Sequence, residues 1–204
     1  MSLLYRLLAR DTALYFKESG SAWATVSFFL ASLTLLTFVM GPDATRMLLF
    51  PLSCGLMLLA CLMALDSIFA RDEADCTLEQ YALLPLAPSL LAAVKIAAFA
   101  LAISAPMAAT AYAVHGLQHV PLSGERATAL ALLALSTAGV GTLASALALL
   151  GGKSYVIRSL IALPLMMPAA IFSAIPEALP LLAAYTLTII PIAGWIGGAA
   201  LRSS

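Results

Sequence analysis

What this 204-residue chain has least of is charge. Lysine and arginine number 10 and aspartate and glutamate 10, so only 10% of residues are charged, where a soluble domain carries about 25%. With 63% hydrophobic residues and a mean hydropathy of +1.04, that deficit excludes an ordinary water-soluble fold and leaves a polytopic membrane protein. The charges cancel to a net of +0, so no basic footprint for a nucleic acid exists. Cysteine is also scarce. Cys54 and Cys61 stand in one apolar segment and cannot reach each other along it, and Cys76 is distant. Neither a disulfide framework nor a metal or redox spacing results.

The centres of the apolar segments hold no charged residue. Proton or ion coupling needs groups at depth that change charge or coordinate ions. Secondary transport and intramembrane catalysis are therefore both disfavoured, and the energy for any movement has to come from outside the chain. A nucleotide site is missing too. Gly152-Lys153-Ser154 mimics the tail of a phosphate-binding loop, but the first glycine of that motif would fall at Leu147, and an apolar helix precedes it instead of a strand. Lys153 reads more simply as a basic residue at the inner face. No internal repeat or low-complexity linker divides the sequence, so one transmembrane domain over 1–204 is expected.

What is present is a series of apolar segments. A helix needs about 20 such residues to cross about 30 Å of hydrocarbon, and six stretches pass: 21–40, 45–70, 90–114, 127–150, 156–175 and 179–201. Pro164 and Pro168 make the fifth the least regular; it is expected to kink, or to enter partway and return. The basic residues orient the set. With the N-terminus in the cytoplasm, Arg6, Arg10, Lys17, Arg71, Lys95, Lys153, Arg158 and Arg202 fall on or near that side, and only Arg46 and Arg126 outside. Both termini are then cytoplasmic, and the outer loops at 41–44, 115–125 and 176–180 are too short to capture a soluble substrate.

Residues 2–18 predict an amphipathic helix on the membrane surface. Arg6, Arg10 and Lys17 take one side and Leu4, Leu7, Leu8, Leu14 and Tyr15 the other, a pattern unlike the apolar core of a cleavable signal. Asp11 and Glu18 fall among those leucines, and the pattern gives no account of them unless a basic residue elsewhere in the bundle meets them. Asp66 and Lys95 each enter an apolar segment about one turn from the cytoplasmic end. They either pair with each other or Lys95 snorkels to the interface. Gly194 and Gly198 form a G-x-x-x-G in the last span, and Gly141, Ser145, Ala144 and Ala148 give the fourth small faces. These serve bundle packing first and a homodimer seam second.

Between the second and third segments lies the densest polar stretch, from Arg71 to Tyr81, with Arg71, Asp72, Glu73, Asp75 and Glu79. Thr77 followed by Gln80 fits a capping box, with Thr77 as N-cap. Glu79 lies in the first turn, where the helix dipole favours negative charge, and Pro85 stops the helix. A capped helix of about two turns results, presenting Leu78, Tyr81 and Ala82 on one face. Such an element suits insertion into a groove on a water-soluble partner. The plainer alternative is a loop that merely joins two spans.

At these residues the chain resembles the haem exporter protein B (CcmB) family of ABC-2-type permeases from the cytochrome c maturation system. The resemblance runs through Leu65-Asp66, Ile68-Phe69, Arg71-Asp72, Thr77-Leu78-Glu79-Gln80 and Leu84-Pro85-Leu86. It continues in Lys95, Pro106, the block Leu163-Pro164-Leu165-Met166-Met167-Pro168 with Ile171-Phe172, and the end from Pro191 to Arg202. Cys76 stands where the family usually has glycine, and Asp66 where it has glutamate. The third span lacks the polar and aromatic residues common after Lys95.

The resemblance implies an all-α membrane protein of the ABC-2-type permease fold: six transmembrane helices, an interfacial helix within 1–20 and a cytoplasmic coupling loop at 71–89, in the bacterial inner membrane. It implies a non-catalytic subunit that binds no cofactor itself. Its coupling interface would be Asp75, Thr77, Leu78, Glu79, Gln80, Tyr81 and Pro85, and Asp66 with Lys95 would be a structural ion pair. Implied partners are a cytoplasmic ABC ATPase holding ATP and Mg, a tryptophan-rich haem-handling membrane protein, a small single-span protein, membrane lipid and, indirectly, a periplasmic haem chaperone. Haem is then handled by the complex. His115 and His119, four apart, would share a helix face and offer a haem or periplasmic contact if their stretch were helical; solvated loop side chains are the commoner reading. Two other functions stay open, a permease of this architecture for a lipid or drug, and a membrane scaffold without a motor.

Overall fold

The computed structural model of the chain describes residues 3–17, 21–69, 72, 86–150 and 155–203, with the side chains of 66, 150, 155–157 and 201–203 outside that description. Among these residues every regular element is helical. Helix α1, Leu3–Lys17, is the amphipathic helix expected from its leucine pattern. It turns Asp11 and Tyr15 into the protein while Leu3 and Tyr5 stay exposed.

Helix α2, Ser21–Ala64, is 44 residues long and is interrupted at Gly41, whose φ of 74° and ψ of 171° are not helical. Glycine takes a positive φ without the penalty a Cβ brings, and Pro42 follows at a helix start, where its missing N–H costs nothing. The chain folds back there. In a straight helix, residues eight apart lie about 12 Å apart along the axis, yet the Thr45 hydroxyl reaches the Thr37 carbonyl at 3.4 Å as well as that of Gly41 at 2.6 Å. The two arms, 21–40 and 42–64, therefore form a hairpin, matching the loop expected at 41–44.

Helices α3, Pro88–Phe99, and α4, Ala105–Leu117, are joined by a π-helical turn, Ala100–Ser104, into one rod. The plain α-span expected over 90–114 misses this turn. Its cause is Pro106, whose ring would meet the carbonyl four residues back in a regular helix. The wider turn relieves that clash, and the Ala105 N–H bonds to Ala100, five residues away.

Helix α5, Gly124–Leu150, is the central post: its most apolar window is 78% buried, against 22% for the last span. Helix α6, Tyr155–Ala174, runs on through Pro164 and Pro168 without breaking or returning. The Tyr185 hydroxyl of α7, Leu179–Ser203, donates to the Leu165 carbonyl and ties that proline stretch to its neighbour. Four helices are long and apolar enough to cross a membrane, Ser21–Ala64, Pro88–Leu117, Gly124–Leu149 and Pro176–Ala200, with Arg158–Ala174 a shorter apolar one. Large apolar side chains are exposed on them, among them Trp23, Phe38, Met47, Leu187 and Trp195.

Candidate functional site

The alternation of helix directions brings residues near 11, 65, 89, 95, 145 and 198 to one end of the bundle, the end that carries the loop between α2 and α3. Both margins of this loop are gripped by small residues. On its approach, α2 tightens into a 3-10 turn, Leu65–Ser67, and Leu65, Ile68 and Phe69 are buried. The Ser145 hydroxyl of α5 donates to the Leu65 carbonyl at 3.1 Å. A Cβ on Gly141 would come within 2.8 Å of Leu65 Cδ2.

On the far margin, Ala87 is extended and Pro88 opens α3. A Cβ on Gly198 of α7 would lie 2.7 Å from the Ser89 nitrogen and 2.9 Å from the Pro88 carbonyl carbon, so only glycine admits this backbone crossing. Gly141 and Gly198 thus serve packing within the chain, as the first reading of the small residues has it, and they hold the described residues on either side of the loop.

Charge is concentrated at the same place. Lys95 Nζ of α3 lies 2.8 Å from Asp11 Oδ2 of α1 and is also paired with Asp72 Oδ2 at the start of the loop. Arg10 Nη2 meets the other Asp72 oxygen at 3.5 Å. Lys95, Asp11 and Asp72 are all buried, whereas Arg10 keeps about a third of its side chain in solvent. Removing one member of such a buried set leaves a charge without compensation, at a cost of about 3–5 kcal/mol. One rung further along, Tyr15 stands edge-on to Phe99, ring centres 6.1 Å apart. Asp11 with Lys95 and Tyr15 with Phe99 are two contacts with the same four-residue step on each helix, so α1 is held in register along α3. Burial raises the Tyr15 phenol above its ordinary value, with Lys95 pulling the other way.

Of the two acids among the leucines, Asp11 has thus found its basic partner; Glu18 lies outside the described residues. For Asp66 the described part is the backbone in the 3-10 turn; its side chain, and with it the expected pair with Lys95, lies outside the described residues. So do Asp75, Cys76, Thr77, Leu78, Glu79, Gln80, Tyr81 and Pro85, the whole expected coupling helix. Sequence reasoning did not place Asp72 or Arg10 in a site. The signal for Asp72 was its position one turn from a span end, opposite a lysine on the next span.

The opposite end of the bundle is different. α4 ends at Leu117, and His119 takes a left-handed φ of 55°, so the helix that would put both histidines on one face does not continue. His115 is fully buried, its Nε2 3.3 Å from the Ser53 hydroxyl and its ring 6.2 Å from that of Phe50; His119 is exposed. The Arg126 guanidinium sits over Phe50, 5.3 Å from the ring centre. Beside them is a crevice of about 260 Å³ lined by Phe50, Ser123, Arg126, Ser173 and Leu179 among others. Among the described residues no group of His, Cys, Asp and Glu could hold a metal ion.

Comparison with known proteins covers the same span as this geometry. The family model described as CcmB protein matches residues 2–203. Heme exporter protein B of Paracoccus denitrificans is 33% identical over 96% of this chain and 97% of its own length. Heme exporter protein B of Rhodobacter capsulatus is 30% identical over the same shares of the two chains. That of Bradyrhizobium diazoefficiens is 30% identical over 84% of this chain and 79% of its own.

Proposed function

The chain belongs to the CcmB protein family, and from that premise we propose that it is the membrane permease subunit of an ABC transporter complex for cytochrome c maturation. In this reading it couples ATP hydrolysis by a separate ATPase to haem export or to release of a haem-loaded periplasmic chaperone. The single observation that carries the reading is the end-to-end match to relatives named heme exporter protein B, at 30% and 33% identity over 96% of the chain.

The rest of the assignment is built on it. The two arms of α2, the α3–α4 rod, α5, α6 and α7 are six membrane crossings of one permease domain in a bacterial inner membrane, with both termini cytoplasmic. The loop between α2 and α3 then faces the cytoplasm, and Asp75, Thr77, Leu78, Glu79, Gln80, Tyr81 and Pro85 contact the ATPase. A handle moves a bundle only if it cannot swing independently. The Ser145 and Gly141 grip on one margin and the Gly198 crossing on the other meet that requirement. This subunit performs no chemistry; ATP and Mg stay on the ATPase, and haem is passed among the tryptophan-rich membrane protein, the small single-span protein and the chaperone.

Deleting the gene and assaying haem-stained c-type cytochromes tests this. Loss of holo-cytochromes, restored by the gene in trans, is expected; cells that keep their c-type cytochromes would reassign the protein to lipid or drug export.

A further inference from the structure

The charged cluster around Lys95 joins three separate elements. Asp11 belongs to α1, Asp72 to the start of the loop, and Lys95 to α3. The chain between Asp11 and Lys95 is long, so each contact is made only by the fold. Lys95 stands one turn before Phe99, and Phe99 is the last residue before the π-helical turn Ala100–Ser104. π-turns are local irregularities in α-helices and recur at functional positions. A buried ammonium shared by two carboxylates is also a directional link, because Asp11, which has Lys95 as its basic partner, cannot leave without exposing an uncompensated charge in a low-dielectric site.

A second contact ties the same two helices. Tyr15 and Phe99 meet edge-on one turn from Asp11 and Lys95, so α1 and α3 are joined at two successive rungs.

We propose that Lys95 is the positioning residue that carries displacement of the loop, received at Asp72, into α3 and its π-turn on one side and into α1 through Asp11 on the other. The interfacial helix is then a moving part of the permease and not a passive membrane anchor. This inference rests on the proposed ATPase coupling.

The test uses the complete complex of this chain with its ATPase in lipid nanodiscs, followed by hydrogen–deuterium exchange with and without ATP plus vanadate. Asp11→Asn combined with Lys95→Met removes one charge of each sign and leaves Asp72 with Arg10, so no lone carboxylate is created; Lys95→Arg keeps the charge. In the unaltered complex, amides of 8–17 and 96–104 are expected to change protection with nucleotide. The double variant should retain the ATPase but reduce that change about tenfold, and Lys95→Arg should preserve most of it. A double variant that keeps the full nucleotide-dependent change in both segments overturns the relay, as does a change confined to 96–104 in the unaltered complex. If the double variant does not assemble, Lys95→Arg with Asp11→Asn decides: loss of the change in 8–17 alone supports the relay, and an unaltered change contradicts it. An unaltered complex with no nucleotide-dependent change anywhere counts against ATPase coupling itself, a different outcome.

Discussion

The two ends of the bundle hold their polar groups in opposite ways. At the loop end, Lys95, Asp11 and Asp72 are buried charges drawn from three separate elements. At the other end, His115 meets a neutral hydroxyl from Ser53, and Arg126 rests on the face of Phe50 beside an open crevice. Neutral contacts fix local shape at small cost. A shared buried charge binds whole elements together, because its loss is felt by each of them. The difference teaches where movement can be transmitted through this molecule and where the fold is only being closed.

Substitutions sharpen the contrast. The largest effect is expected for Lys95→Met alone, which strands Asp11 and leaves Asp72 with Arg10, and should lower stability by about 3–5 kcal/mol in thermal unfolding of the detergent-purified chain. Adding Asp11→Asn should recover a measurable part of that loss in a double-mutant cycle. Next comes Gly198→Ala, whose Cβ meets backbone at 2.7 Å and should cost about 1–3 kcal/mol. Gly116→Ala is its control: a Cβ there meets nothing within 4 Å, so the gain in helix propensity, up to about 1 kcal/mol, should win. At the opposite end, Ser53→Ala removes the His115 contact and should cost only about 1 kcal/mol. An equal loss for Ser53→Ala and Lys95→Met would erase the distinction between the two ends.

The smallest effect is a pH dependence confined to α1. The Tyr15 phenol is raised in the folded protein by burial, so the folded state holds its proton more tightly than the unfolded chain. Its contribution to stability is complete below the unfolded value near 10 and declines as pH rises above it. Protease accessibility of α1 should therefore increase above about pH 10, and Tyr15→Phe should abolish the increase.

Much of the fold was legible because membrane spans announce themselves by length and apolarity. The reversal at Gly41 could be read from Gly41-Pro42-Asp43 between two apolar runs, and the leucine pattern of α1 gave its inward face. The π-turn was not legible. Pro106 signals a disturbance in a helix, but whether the chain kinks, breaks or widens depends on what surrounds it. α6 shows the same limit, since two prolines that were expected to kink or reverse it stand inside one continuous helix. The site was half legible. Asp11 stood out as an acid among leucines, yet its partner on another helix cannot be found from periodicity, which sees neighbours three or four residues away and nothing beyond. Gly198 was recognised as a packing residue, but not that it is the margin of a loop that packs there.

The central claim is that the loop between α2 and α3 is the handle by which a separate ATPase moves this bundle. Co-purification of the ATPase with tagged Glu79→Lys and Tyr81→Ala variants tests it most directly, with quantities normalised to the membrane subunit. The account predicts that both variants lose most of the bound ATPase while the bundle remains folded. Retention of the ATPase at the level of the unaltered chain in both variants would contradict it.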